Sequence, residues 1–69
     1  MPVRYTRHAI LESMPDEKIT TDEVEEATRK SNLTTRLSSP KKYKFSYKDL
    51  EVIAQKEKGY WLVITCYRT

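Results

Sequence analysis

The sequence predicts an α+β fold, in which two N-terminal helices pack on a four-stranded antiparallel sheet. One observation behind this prediction is the hydrophobic spacing, which changes near Ser31 from a helical period of about 3.6 residues to a strand period of about 2. The other is the stretch from Tyr60 to Arg68, which is dense in β-branched and aromatic residues and follows the only glycine, Gly59. Because this stretch is apolar at both parities, it predicts a strand inside the sheet.

The first helix is predicted to be short. The N-terminal stretch Val3-Arg4-Tyr5 is expected to lead directly into it, and the side chain of Thr6 can cap its first turn. Pro15 disfavours helical geometry at the residue before it, so we expect this helix to stop near Ser13.

The second helix has the clearest local signal. Thr20 and Glu23 have the spacing of a capping box, in which each side chain bonds the backbone of the other residue. Ile19 and Val24 occupy the positions of a hydrophobic staple across the same helix start. The helix is predicted over residues 21–30, with acids in its first turns and bases in its last.

Four strands are then predicted, over residues 33–37, 42–48, 50–55 and 60–68. Turns are expected at Ser38-Ser39-Pro40-Lys41 and at Lys56-Glu57-Lys58-Gly59. Parity then assigns the side chains to two faces of the sheet. The core face is predicted to hold Leu33, Leu37, Tyr43, Phe45, Tyr47, Leu50, Val52, Ala54, Leu62, Ile64 and Cys66. The uncovered face is predicted to hold Thr34, Arg36, Lys44, Ser46, Gln55, Trp61, Val63, Thr65 and Tyr67.

The charge is unevenly distributed along the chain. The net charge is +3, yet seven of the ten acids lie between Glu12 and Glu26, and five bases with no acid lie between Arg36 and Lys48. Such a polarised field suits an anionic partner. An alternative interpretation is a lysine-rich sheet edge that prevents aggregation.

The length of 69 residues predicts one domain, 1–69, whose core is too small for a deep catalytic cavity. The single cysteine, Cys66, excludes an internal disulfide and favours a reducing compartment. Because the N-terminal stretch is polar by Val3-Arg4, we expect no signal peptide. Since no apolar run is long enough to span a bilayer, we also expect no membrane span and a cytoplasmic protein. No second histidine, cysteine pair or carboxylate cluster has ligand spacing, so no metal or other cofactor is expected.

Several short motifs resemble one family. Tyr5-x-x-His8-Ala9, Ile19 and Val24 in a capped second helix, and the ending Val63-Ile64-Thr65-Cys66-Tyr67-Arg68 resemble small bacterial and archaeal domains of the RelE-like toxin fold. Family members carry arginine where this chain has Glu12, and Arg-Gly-Ile where it has Glu17-Lys18-Ile19.

The resemblance implies an RNA-binding protein that acts as a metal-independent toxin-type endoribonuclease. Such chemistry needs a proton acceptor, a proton donor and cations around the phosphate. His8, Tyr67 and Arg68 are the candidate catalytic residues, and His8, as the only histidine, is the candidate general acid or base. Arg36, Lys44 and Trp61 are the candidate RNA-binding residues, by phosphate contact and base stacking.

Other hypotheses stay open at this point. His8 can be a surface histidine, Trp61 a packing residue, and Cys66, on the core parity, an inert thiol. The whole chain can be a non-catalytic protein-binding module, which Glu12 in place of arginine favours, or it can form a homodimer through the aromatic sheet face. A toxin-like protein would also need an antitoxin-like protein partner. The sequence leaves open whether this chain has any catalytic activity.

Overall fold

The computed structural model describes residues 2–31, 33–37 and 41–69 and confirms the α+β class. Within these residues, two helices accompany one mixed sheet of five strands. The elements in chain order are β1 (Val3–Tyr5), α1 (a π-helical segment Ala9–Ser13 continued by an α-helical segment Met14–Glu17), α2 (Thr21–Lys30), β2 (Leu33–Arg36), β3 (Lys42–Tyr47), β4 (Leu50–Glu57) and β5 (Tyr60–Arg68). The predicted turn at Ser38-Ser39-Pro40 lies outside the described residues.

The sheet has the strand order β1-β5-β4-β3-β2, so β5 is an internal strand as predicted. The prediction of four antiparallel strands is wrong, because β1 pairs in parallel with β5. Trp61 N–H donates to the Pro2 carbonyl at 2.9 Å and Thr6 N–H donates to the Val63 carbonyl at 3.0 Å, one at each end of this pairing. The N-terminal residues thus satisfy the backbone of β5, which would otherwise be an open edge.

Helix α1 begins as predicted, since the Thr6 hydroxyl accepts a hydrogen bond from Ala9 N–H at 3.1 Å. The predicted end near Ser13 is wrong, because the helical chain continues to Glu17. Met14 N–H bonds the carbonyl of Ala9, five residues earlier, in a π turn. A π turn widens the helix ahead of Pro15, which relieves the clash that its ring makes in a regular α-helix.

A left-handed residue, Lys18 with φ of 54°, ends α1. Lys18 N–H bonds the Pro15 carbonyl at 3.2 Å, and Ile19 N–H bonds the Met14 carbonyl at 2.8 Å. This pair of bonds is the Schellman arrangement, with Met14 and Ile19 both buried beside it. The chain is thereby turned directly into the start of α2.

The predicted capping box at the start of α2 is confirmed. Thr20 N–H donates to Glu23 Oε1 at 3.1 Å, and Glu23 N–H donates to Thr20 Oγ1 at 3.2 Å. The predicted staple residues Ile19 and Val24 are both buried. The core joins one side of the helices to one face of the sheet and consists of Ala9, Met14, Ile19, Val24, Ala27, Phe45, Leu50, Val52, Ala54, Val63 and Cys66.

A β-bulge in β5 changes the predicted faces. Ile53 pairs with Thr65, whereas the next residue, Ala54, pairs with Val63, so Ile64 is an extra residue in the ladder. The alternation in the first half of β5 is therefore shifted by one residue relative to the second half.

The shift corrects the positions of three residues. Val63 is fully buried and Trp61 packs against the core, so the prediction that both lie on the uncovered face is wrong. Leu62 pairs with Gln55 and lies on the uncovered face instead of the core face. Tyr67 lies beyond the bulge on the uncovered face, as predicted. Thr65 has the same parity, but the prediction that no helix covers it is wrong, because its Oγ1 shares a hydrogen bond of 2.8 Å with Ser13 Oγ of α1.

Strand β2 also has the opposite register to the predicted one. Thr34 pairs with Phe45 and Arg36 pairs with Tyr43, which places both residues on the core side of the sheet, away from Lys44. Thr34 Oγ1 donates to Ser31 Oγ at 3.2 Å, so the connection from α2 holds the strand in this register.

Candidate nucleic-acid interface

The strand register gathers cations at one end of the sheet. Lys56 N–H bonds the Lys41 carbonyl at 2.7 Å and Leu37 N–H bonds the Lys42 carbonyl at 2.9 Å, so the ends of β2 and β4 meet the start of β3. The β4–β5 turn and the start of β1 lie at the same end, because β1 pairs with the first residues of β5. We call this region the basic end and define it by Arg4, Arg36, Lys41, Lys42, Lys56 and Lys58.

The basic end is net positive, whereas the rest of the molecule is net negative. Six of the thirteen Lys and Arg residues lie there, against one of the ten Asp and Glu residues, Glu57, in the same strand ends and turns. The remaining chain holds seven bases and nine acids. The formal charge is therefore +5 at the basic end and −2 elsewhere, which together give the net +3.

The cations of the basic end face solvent. All are exposed except Lys42, which is half-buried. None of the four lysines pairs with a carboxylate among the described residues. The Arg4 guanidinium lies 4.7 Å from the centre of the Tyr60 ring, a cation–π contact that keeps it at the surface.

Two half-buried aromatic rings lie beside these cations on the core side of the sheet. The Trp61 ring contacts Tyr43 with ring centres 5.4 Å apart and planes at 81°, and it contacts Phe45 at 4.9 Å and 87°. Lys56 is the cross-strand partner of Trp61, and Arg36 is the cross-strand partner of Tyr43. Each aromatic residue at this end is thus next to a cation.

The predicted RNA-binding residues are divided by this geometry. Arg36 and Trp61 belong to the core side at the basic end, whereas Lys44 lies on the uncovered face. Lys44 Nζ is 3.3 Å from Glu51 Oε1, which also accepts a hydrogen bond from Ser46 Oγ at 3.3 Å. The charge of Lys44 is therefore already balanced, and the prediction that it shares a face with Arg36 is wrong.

Arg68 is held by four acceptors. Its Nε donates to the Glu17 carbonyl at 3.2 Å, and its Nη1 donates to Asp49 Oδ1 at 3.3 Å. Its Nη2 donates to the Lys18 carbonyl at 3.1 Å and to Glu23 Oε2 at 2.8 Å. Four of the five guanidinium N–H donors are thus used to join β5 to both helices.

These contacts shift the protonation equilibria of the partners. The hydrogen bond from Arg68, followed by that from the Thr20 backbone, lowers the pKa of the Glu23 carboxyl below its usual range. The same hydrogen bond raises the pKa of Arg68. The ion pair is therefore complete at neutral pH, and the arrangement is that of a structural clamp.

His8 and Tyr67 belong to different elements and have different partners. The His8 side chain is 57% exposed on α1, with Nδ1 3.4 Å from Glu12 Oε2 one turn later. Tyr67 is 37% exposed and pairs with Glu51 on the uncovered face. Among the described hydrogen bonds and ion pairs, none joins His8 to Tyr67 or Arg68. The three predicted catalytic residues are thus not joined in one hydrogen-bonded group.

The only thiol in the chain, that of Cys66, is not activated. Cys66 is buried as predicted, and burial, followed by the charge of Glu17, raises the pKa of its thiol, which disfavours the nucleophilic thiolate. No three His, Cys, Asp or Glu side chains are grouped for metal binding in the described ranges. Neither helix described by the structure is long and apolar enough to cross a bilayer.

Comparison with known proteins adds no relative: no family model, curated protein or solved structure matches the chain. The site is therefore defined by its own residues. Arg4, Lys41, Lys42, Lys56 and Lys58 were not predicted as members of the site. In the sequence these residues are seen only as an excess of basic residues. That they lie together can be recognised only once the strand register is known.

Proposed function

We propose that the protein binds RNA and that the basic end is its phosphate-binding surface. The observation that carries this proposal is the ratio of six cations to one acid in the strand ends and turns of one end of the sheet. Five of these cations are exposed, and the four lysines have no carboxylate partner among the described residues. Lys and Arg side chains of this kind bind polyanions by displacing condensed counterions.

The proposal concerns binding and does not extend to cleavage. A metal-independent ribonuclease needs an acceptor, a donor and a free cation around one phosphate. Arg68 has its guanidinium committed to four acceptors, and His8 pairs with Glu12. We also propose that the chain is related to the RelE-like toxins. This proposal is supported by the motifs quoted above and by the order of elements, in which two helices precede most of the sheet.

A salt-dependent titration tests the proposal. A labelled single-stranded RNA is titrated with protein, and anisotropy is followed between about 50 and 200 mM salt. Each phosphate contact contributes roughly 0.7 to the slope of log affinity against log salt for a single strand. Removal of four contacts should therefore lower the slope by about 3, with at least a tenfold loss of affinity at the lower salt concentration.

The chain provides a matched control, because four of its eight lysines lie at the basic end and four lie elsewhere. The test variant replaces with glutamine the lysines Lys41, Lys42, Lys56 and Lys58. The control variant replaces with glutamine the lysines Lys18, Lys30, Lys44 and Lys48. Both variants have the same net charge, so an equal loss of RNA affinity in the two would contradict a localised site.

The uncovered sheet face supports a second candidate function, the binding of a protein partner, either an antitoxin-like protein or a second copy of the chain. Ile53 and Leu62 lie half-buried on this face, and α2 packs against the opposite face. Sedimentation at several concentrations tests self-association. A Leu62→Lys variant should abolish any concentration-dependent mass, while a change that survives the substitution would exclude this face.

A further inference from the structure

We infer that the basic end selects single-stranded over double-stranded nucleic acid, because the ring of Trp61, with Tyr43 edge-on beside it, is a surface on which an unpaired base stacks. This inference rests on the RNA binding proposed above and specifies its substrate class. It assigns the aromatic pair a role that is separate from the attraction of the cations for phosphate.

The first step of the argument is the environment of Trp61. Its ring is half-buried, and its two aromatic contacts, with Tyr43 and Phe45, are both nearly perpendicular, at 81° and 87°. Neither neighbouring ring is therefore stacked in parallel on the indole. Phe45 is buried, whereas Tyr43 and Trp61 reach the surface at the basic end.

The second step is the position of the charges. Lys56 lies directly across the ladder from Trp61, and Arg36 lies directly across from Tyr43. Side chains at such paired positions are separated by about 5 Å at Cβ. A base stacked on either ring would hence have a cation within reach of its own phosphate, which is how non-specific single-strand sites are built.

The third step is the difference between the two forms of nucleic acid. In a duplex, the base faces are covered by neighbouring base pairs, so only phosphates and sugars can contact this end. In a single strand, an unstacked base can lie on an aromatic side chain. Loss of one such stacking contact on substitution to alanine corresponds to about a 5- to 150-fold loss of affinity.

The experiment uses Trp61 as its own reporter, because it is the only tryptophan in the chain. Its fluorescence is followed while the full chain is titrated at low salt with single-stranded RNA, single-stranded DNA of the same sequence, and the RNA duplex. We expect quenching and tighter binding with both single strands, and weaker binding with little quenching for the duplex. The ratio of the RNA and DNA affinities measures the contribution of the 2′-hydroxyl.

Substitutions separate stacking from packing. Trp61→Phe retains an aromatic ring over Phe45 and should keep most of the single-strand affinity, whereas Trp61→Leu should lose about tenfold. Neither substitution should change duplex affinity, and circular dichroism establishes that each variant is folded.

The outcomes distinguish the inference from the proposed function. If single strands and duplex bind equally and Trp61 fluorescence does not change, while the basic-end glutamine variant still loses affinity, the stacking surface is excluded and RNA binding stands. If no nucleic acid binds at any salt concentration, the proposed function fails and the inference fails with it.

Discussion

Arg68 Nη2 lies 2.8 Å from Glu23 Oε2, which joins the last strand to the first turn of α2. Asp49 Oδ1, 3.3 Å from Nη1, extends the contact to the β3–β4 turn. One guanidinium therefore ties together elements that are distant in the sequence, through a planar set of N–H donors that lysine cannot reproduce.

Removal of this guanidinium should destabilise the fold. Arg68→Ala leaves the carbonyls of Glu17 and Lys18 without their donor, and Arg68→Lys can satisfy only part of the same set. We expect lower urea midpoints for both, with the alanine variant lower than the lysine variant. Arg7→Ala, at an exposed position, is the control. Unchanged midpoints would show that the clamp contributes no stability.

The same ion pair predicts a pH dependence of stability. Because contacts with Arg68 and Thr20 lower the pKa of Glu23 in the folded state, its contribution is complete above the ordinary value of 4.5 and is lost as pH falls through the lower folded value. The stability difference between the wild type and Glu23→Gln should therefore be largest near neutrality and shrink below pH 4.5. Thermal melts across this range measure it. A stability difference that stays constant, or that grows in acid, would contradict this prediction.

Lys18 should be replaceable by glycine with a gain in stability. Its φ of 54° lies in the left-handed region, where a side chain costs about 1 kcal/mol relative to glycine. Some of this gain is offset because glycine is more flexible in the unfolded chain. We expect Lys18→Gly to raise the free energy of unfolding by about 0.5 kcal/mol. Lys48→Gly, at φ of 56°, provides an independent second site where the same sign is expected. Destabilisation at both positions would argue against the left-handed backbone conformation of these two residues.

Trp61 and Tyr67 should differ in their contribution to stability, because the bulge places them on opposite faces. Trp61→Ala removes a ring that packs on Phe45 and should cost about 2–4 kcal/mol. Tyr67→Ala, at a position that is 37% exposed, should cost less than about 1 kcal/mol. Urea denaturation measures both values. If the Tyr67 variant is the less stable of the two, the bulge is misplaced.

The helix starts could be predicted from the sequence because their causes are local. Thr6 caps α1 and Thr20 with Glu23 caps α2 through contacts that span three residues. The end of α1 was less predictable. The steric rule for Pro15 describes regular α-helices, and it does not account for a π turn placed ahead of the proline.

The face of Trp61 could not be predicted, since parity continues only while the ladder has no insertion. Ile64 is that insertion, and its cause is the pairing with β4, which is not encoded in β5 alone. Strand β1 could not be predicted either, because a strand of three residues is too short to have a periodic pattern.

The candidate site illustrates the same limit. Lys41 and Lys56 are fifteen positions apart in the sequence, yet their backbones share a hydrogen bond. The basic run between Arg36 and Lys48 indicated an anionic partner. It also included Lys44, which faces the other way and pairs with Glu51.

The parallel pairing of β1 with β5 has a consequence for folding kinetics. Val3 pairs with Trp61, which lies almost sixty positions later in the chain, and every other element of the fold lies between the two strands. The entropy of closing so long a loop opposes this pairing until the elements between have ordered. We therefore expect the β1–β5 ladder to be among the last contacts to form.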